Sequence, residues 1–365
     1  MGRISVLVVD DSVVIRRLVT SVLDEDPDIT VVGTAASGRI ALAKLLQVAP
    51  DCVTLDIEMP DLDGLGTLRE LRKTHPRLPV IMFSTLTERG ATTTLDALAL
   101  GANDYVTKPA NVGSVPAALA SVREQLVPRI KALCPQLRGP VAPPVQRFVP
   151  SLPASTGTAL APSQRVDVLA IGSSTGGPDA LTGLLPLLPA SFPVPVVITQ
   201  HMPPVFTKMF AQRLDGKCPL SVKEAEDGDV VAPGRVLIAP GDRHMELRRV
   251  GNAVQVALTS APPENFCRPA VDVMFRSVAT AYGERVLAAV LTGMGSDGAR
   301  GAEVLRRAGA EVLAQDEASS VVWGMPGAVV GAGLAHRVLP LAQLAREFTT
   351  IAGRGRSKAL IGAAR

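Results

Sequence analysis

The chain of 365 residues carries 37 basic and 34 acidic side chains, a formal net charge of +3, with 47% hydrophobic and only 3% aromatic residues. At roughly one domain per 150 residues this length predicts two globular domains, and the apolar fraction excludes global disorder. So few aromatic rings also exclude a nucleic-acid binder built on base stacking.

In chain order, short apolar runs alternate with stretches of helical spacing. ISVLVV (4–9), TVVGTA (30–35), CVTL (52–55), VIMF (80–83) and DYVT (104–107) predict strands, and segments such as 13–23 and 37–48 predict the helices between them. Such alternation means a parallel sheet with helices on both faces. Residues 135–162 then hold seven prolines and no hydrophobic period, which predicts a linker of polyproline character. Beyond it VLAIG (168–172), VPVVITQ (194–200), RVLIAP (235–240), VLAAVLT (286–292) and AEVLAQ (310–315) predict a second, mostly parallel α/β sheet. The expected division is a first domain at 1–128, a basic linker at 129–165, a second domain at 166–348 and a flexible tail at 349–365.

The positive balance belongs to the linker, with five basic groups and no acidic one, and to the tail, with four and none. Neither domain therefore offers a basic face, and no nucleic-acid partner is expected. The four cysteines form no CxxC pair, which argues against a zinc site or a disulfide framework and for a reducing compartment. The run at 4–9 ends in Asp10-Asp11, too short and too acidic for a signal peptide, and no stretch approaches the roughly 18 apolar residues of a membrane span. A cytoplasmic protein without membrane insertion is the expectation.

Open parallel sheets bind ligands beyond the carboxyl ends of their strands. In the first domain those ends carry Asp10, Asp11, Asp56, Thr85 and Lys108. Clustered carboxylates repel, and a hard divalent cation such as Mg2+ relieves the repulsion through oxygen ligands. A lysine opposite such a site can hold a phosphoryl group, with a hydroxyl nearby to sense it. Lys108-Pro109 is expected to form a rigid cis turn. Asp61-Leu62-Asp63-Gly64 superficially matches a calcium loop, but Pro60 and the missing distal glutamate argue against it.

The blocks VVDDS, LDIEMPDLDG, FST and DYVTKP make residues 1–125 resemble a response-regulator receiver domain. That resemblance implies a flavodoxin-like (βα)5 fold with a parallel five-stranded sheet and phosphorylation at Asp56. It also implies Mg2+ bound by Asp10 or Asp11, Asp56 and the Glu58 backbone carbonyl. Thr85 and Tyr105 become the switch pair and Lys108 the phosphate clamp.

In the second domain, strand VLAIG runs into Ser173-Ser174-Thr175-Gly176-Gly177-Pro178-Asp179 and a helix starting near Pro178. Gly172 to Gly176 matches G-x-S-x-G, with Ser174 at its centre; a phosphate-binding or structural glycine turn is the alternative. A serine nucleophile needs a base. Of the four histidines, His75 is expected at the surface, His244 and His336 in structural roles, and His201 on the same strand-end rim as Ser174. Asp297, in VLTGMGSDG, follows another strand on that rim and completes a Ser174–His201–Asp297 arrangement. Two alternatives remain at this point. Gly293 to Gly298 is a literal G-x-G-x-x-G with Asp316 about 20 residues on, as in a dinucleotide site. An α/β-hydrolase triad would instead use Ser174, a later acid and His336.

The blocks IGSSTGGPDAL, ITQHMPPVFT, VKEAEDGD, IAPGDRHMEL, RPAVDVMF, VLTGMGSDG and QDEASSVVWGMPGAV make residues 166–345 resemble the catalytic domain of the chemotaxis protein-glutamate methylesterases. The order receiver, linker, esterase matches the regulated form of that family. The resemblance implies a doubly wound α/β hydrolytic domain with Ser174 as nucleophile, His201 as base and Asp297 as orienting acid. Thr175 would help to fix the imidazole, and the Met294 backbone N–H would contribute to the oxyanion hole. No cofactor is implied for the esterase, only Mg2+ for the receiver. A chemotaxis histidine kinase is implied as phosphodonor and the cytoplasmic domains of methyl-accepting chemoreceptors as substrate. Glutamine deamidation is a second implied activity, and an unphosphorylated receiver is implied to restrain the esterase. The competing class is a non-enzymatic response regulator; no helix-turn-helix pattern follows the linker to support it.

Overall fold

Apolar and β-branched runs of four to seven residues form the first sheet: β1 (Ile4–Val9), β2 (Ile29–Ala35), β3 (Cys52–Asp56), β4 (Val80–Ser84) and β5 (Asp104–Thr107). The structure, a computed structural model, describes residues 2–109, 114–134 and 165–356, divided between two units, Met1–Ser155 and Thr156–Arg365. The five strands are parallel in the order β2-β1-β3-β4-β5. Helices α1 (Val13–Asp24), α2 (Gly38–Val48), α3 (Gly64–Thr74), α4 (Glu88–Ala99) and α5 (Val115–Leu133) join and cover them. Each starts at a residue whose side chain accepts a backbone N–H of the first turn: Ser12, Ser37, Asp63, Thr87 and Ser114. Those caps satisfy donors that a helix start otherwise leaves orphaned. Asp63 is therefore a helix cap rather than part of a calcium loop.

Helix α5 carries beyond the boundary expected at residue 128. Pro128 stands inside it, and Ile130 and Cys134 continue the buried face begun by Val122 and Leu126. Arg129 pairs with Asp104, and Lys131 with Asp26 and Asp28, so two of the basic groups assigned to the linker are neutralised within the first unit. The proline-rich stretch 135–164 lies outside the described residues. The Lys108–Pro109 bond, expected cis, is trans, the form that X–Pro bonds favour; among the described residues the cis bond is Arg268–Pro269.

The second unit holds β6 (Val168–Ser173), β7 (Val196–Gln200), β8 (Ser221–Glu224), β9 (Arg235–Ile238), a hairpin of β10 (His244–Val250) and β11 (Ala253–Thr259), then β12 (Val286–Val290), β13 (Glu311–Gln315) and β14 (Arg337–Leu339). All but the hairpin form one parallel sheet, β14-β13-β12-β6-β7-β9-β8. Its helices are α6 (Gly177–Leu184), α7 (Phe206–Asp215), α8 (Val271–Tyr282), α9 (Ala299–Arg307), α10 (Gly324–Gly331) and α11 (Leu341–Ala352). The central strands β6, β7 and β12 are buried along their whole length, as near-continuous apolar runs in a covered parallel sheet should be. The tail expected from 349 begins inside α11: Ile351 and Ala352 are buried, Arg354 pairs with Glu311 and Arg356 with Asp167. Of that tail, residues 357–365 lie outside the described residues.

Candidate active site

The order of the second sheet reverses between β6 and β12, which opens a crevice at their carboxyl ends. Ser174 is the first residue after β6, His201 the first after β7, and Asp297 lies in the loop between β12 and α9. Since Gly172 pairs with Thr199 and Ser173 with Gln200, Ser174 and His201 stand side by side at the ends of neighbouring strands. Gln200 fixes both: its Nε2 donates to the carbonyls of Ser174 (3.0 Å) and His201 (3.1 Å), while its Oε1 accepts from Ser173 Oγ (2.7 Å). Gly176, at φ 77°, begins α6 in the left-handed region, where a side chain would be strained and its Cβ would strike Val321. This turn exposes Ser174 at the helix start, half-buried, its hydroxyl without a hydrogen-bond partner among the described residues.

His201 Nε2 lies 2.8 Å from Asp297 Oδ2. Asp297 is held from every side. Val271 N donates to Oδ2 (2.6 Å), and Asp272 N (3.0 Å), Gly298 N (3.0 Å) and Asn265 Nδ2 (2.8 Å) donate to Oδ1. Burial disfavours this carboxylate, but His201 and those donors outweigh burial and hold its pKa below the ordinary value. Burial likewise works against a charged imidazole; the bonds to Asp297 and then Cys267 offset it and raise His201 to about 10. The second imidazole nitrogen, Nδ1, faces Cys267 Sγ at 3.5 Å. Cys267, Asn265 and Gln200 belong to no nucleophile motif, and only the fold brings them to the rim.

Thr175 is buried beside Ser174, and its carbonyl accepts the Thr292 hydroxyl at 2.9 Å. Met294 is half-buried in the glycine loop, and its N–H has no acceptor among the described residues. Gly293 lets that loop approach: a Cβ there would stand 2.9 Å from Ser174 Cβ and 2.4 Å from Met325 Sδ. The same loop is the G-x-G-x-x-G of the sequence. Its Asp297 is fully engaged by histidine and backbone donors, where a pyrophosphate site would need those donors free. His336 accepts Val312 N at 3.0 Å with Nδ1, and its Nε2 contacts Arg306. Val312 lies at the start of β13, the end of the sheet opposite the Ser174 rim, so a Ser174–His336 pair does not form. His244 is wholly buried between Pro262 O and Ala270 N, and His75 caps the end of α3.

In the first unit, Asp10 follows β1, Asp56 ends β3 and Lys108 follows β5. Lys108 Nζ lies 2.8 Å from Asp56 Oδ1 and 3.1 Å from Asp10 Oδ2. Asp10, Asp11 and Asp56 offer oxygens all within 4.8 Å of one another. Asp10 and Asp56 are buried and Asp11 is exposed. Asp10 Oδ2 and Asp56 Oδ2 are buried without a hydrogen bond, apart from the ion pair of the former with Lys108. Burial raises both carboxyls, Asp56 to about 6. Such a donor set of orphaned, destabilised oxygens fits a hard cation such as Mg2+. Glu58 N donates to Asp56 Oδ1 at 3.3 Å. Thr85 is half-buried one residue past β4, with Oγ1 3.3 Å from Thr87 Oγ1, and Tyr105 is buried in β5. Ser84, the middle residue of FST, ends β4 with a buried hydroxyl that accepts from Thr94 Oγ1 (2.7 Å) and donates to Gly90 O (3.2 Å).

Both units resemble known proteins. Residues 6–120 match the response regulator receiver domain model, and residues 169–348 match the CheB methylesterase model. A Nocardioides protein named protein-glutamate methylesterase/protein-glutamine glutaminase is 57% identical over 358 residues, covering 95% of each chain. A protein of the same name from Trichodesmium erythraeum is 52% identical, covering 95% of this chain and 99% of that one. The crystal structure of the Thermotoga maritima CheB methylesterase catalytic domain is 44% identical with a TM-score of 0.50, covering 50% of this chain and 97% of that one. With two domain models matched in this order and relatives this similar along nearly the whole chain, the protein belongs to the CheB methylesterase family, in the form that carries a response regulator receiver domain ahead of the esterase.

Proposed function

We propose that this chain is a phosphorylation-regulated protein-glutamate methylesterase and protein-glutamine glutaminase, with Ser174, His201 and Asp297 as its catalytic residues. The observation that carries the assignment is the meeting of these three on the rim of adjacent central strands, with His201 bonded to Asp297 at 2.8 Å and the Ser174 hydroxyl unpartnered among the described residues. With Nε2–H held by Asp297, the proton acceptor is Nδ1, which Cys267 Sγ approaches at 3.5 Å. Nδ1 takes the Ser174 proton as Oγ attacks the carbonyl carbon of a glutamyl methyl ester. The oxyanion is stabilised by backbone donors that include Met294 N–H, each worth about 3–4 kcal/mol in such sites. The imidazolium returns its proton to the leaving methoxide, methanol departs, and water hydrolyses the acyl-enzyme by the same proton path. A glutamine amide differs only in releasing ammonia. Thr175 helps to fix the imidazole.

In the receiver we assign Asp56 as phosphoacceptor, with Mg2+ held by Asp10 or Asp11, Asp56 and the Glu58 carbonyl. The cation supplies neutralising charge for phosphoryl transfer. Lys108 then pairs with the phosphoryl group, and Thr85 and Tyr105 transmit its presence. A histidine kinase serves as phosphodonor and methylated chemoreceptor cytoplasmic domains as substrate. The receiver extends to about Cys134 and the esterase runs from Val166 to Arg356, both in the cytoplasm. The test is methanol release from methylated receptor membranes by wild type, His201→Ala and His336→Ala. Loss in the first variant alone is expected. Loss in His336→Ala with activity retained in His201→Ala would overturn the triad.

A further inference from the structure

The segment Glu264–Cys267 is a tight two-residue turn: Glu264 N donates to Cys267 O (3.0 Å) and Cys267 N to Glu264 O (2.8 Å). Its two central residues, Asn265 at φ 52° and Phe266 at φ 62°, both lie in the left-handed region. Turns of this shape favour Asn-Gly, and a bulky residue in the second position is an outlier. The turn is nevertheless fixed at every other residue. Glu264 is gripped by Arg276 through two bonds of 2.8 and 2.5 Å, Asn265 Nδ2 donates to Asp297 and Asp272, and Cys267 touches His201. Phe266 alone makes no use of the fold: its relative exposure is 102%, far above the other large apolar residues at the surface. A strained position that would accept glycine thus holds up a bare aromatic ring between two residues that contact the catalytic histidine and aspartate. Strain retained without a packing return points to a functional contact.

We infer that Phe266 is a specificity-determining residue that docks the substrate polypeptide, its ring packing on an apolar side chain or the aliphatic stems next to the modified glutamate. The inference rests on the esterase reading above. A methyl glutamate attached to a protein can reach Ser174 only if its flanking segment passes this rim. Aromatic anchors supply large contact area for little lost side-chain entropy, and few such residues dominate an interface. Because Phe266 touches neither the ester nor the triad, its contribution belongs to binding.

The test is steady-state methanol release from methylated receptor membranes by the full chain, with labelling of Ser174 by a small fluorophosphonate as a control for the nucleophile. Phe266→Ala is expected to raise KM about tenfold, the size of a single hot-spot truncation, with kcat and the labelling rate within about twofold of wild type. Phe266→Leu should recover most of the loss, and Phe266→Gly should match alanine in KM yet melt at higher temperature than either. An unchanged KM in Phe266→Ala would overturn the inference. So would a fall in kcat and labelling together, which would mean a distorted site, or a rise in unphosphorylated activity, which would mean that the ring faces something other than substrate. Failure of wild type to release methanol would instead remove the esterase reading itself.

Discussion

Two titratable groups of the proposed sites, His201 and Asp56, are held away from their ordinary pKa. Against burial, Asp297 and Cys267 favour the His201 imidazolium and raise its pKa to about 10. Only the neutral ring can accept the Ser174 proton. The kcat/KM of the esterase should therefore rise with pH from neutrality towards that value. Asp297→Asn removes the anion, and should move the rising limb to lower pH while reducing the plateau by about 10³–10⁴-fold; an unmoved limb would show that another group titrates. In the receiver, burial raises Asp56 from 3.8 to about 6. Folding takes up a proton there, so stability falls as pH rises through that window. Asp56→Asn should stabilise the receiver by about 1–3 kcal/mol above pH 7, and the gain should vanish below pH 4. Chemical denaturation of the two proteins at both pH values, without added Mg2+, measures it.

At the scale of elements, the placing of function follows from strand ends. Alternating apolar runs made the central strands legible in the sequence, since β6, β7 and β12 are continuous buried segments that only a covered parallel sheet accommodates. Ser174 and His201 were legible for the same reason, each being the first residue beyond such a run, whereas Asp297 lies seven residues past the end of β12, just before α9. The hairpin β10–β11 and the edge strands β8 and β14 were not, because three to seven residues with charged, half-exposed faces carry a weak periodic signal. The partners that refine the site come from two segments far from Ser174 and Asp297 in sequence, Gln200 from the end of β7 and Asn265 and Cys267 from the turn before α8. Linear spacing cannot state that Asn265 reaches Asp297 across the start of α8. The close approach of the loop after β12 gives a prediction of its own. Gly293→Ala would press a Cβ on Ser174 Cβ, and should lower kcat for methanol release about 10²-fold. Phosphonate labelling should fall with it, while a normal rate would mean that the loop yields freely.

For the whole molecule, the small positive charge resolves into ion pairs and ends. Arg129 and Lys131 neutralise receiver carboxylates, and Arg354 and Arg356 tie the end of α11 to Glu311 and Asp167. Coupling of receiver to esterase should be visible in the full chain. Acetyl phosphate with Mg2+ should raise methanol release several-fold in wild type and leave Asp56→Asn unchanged, whereas equal stimulation of both would remove Asp56 from the regulation. One serine is expected to carry both hydrolytic activities. Following methanol from methylated receptors and ammonia from receptors bearing glutamine, in wild type and Ser174→Ala, with Asp56 phosphorylation measured in the same samples, tests this. Ser174→Ala is predicted to abolish both products and still take up phosphate at Asp56; release of either product at the wild-type rate would contradict it.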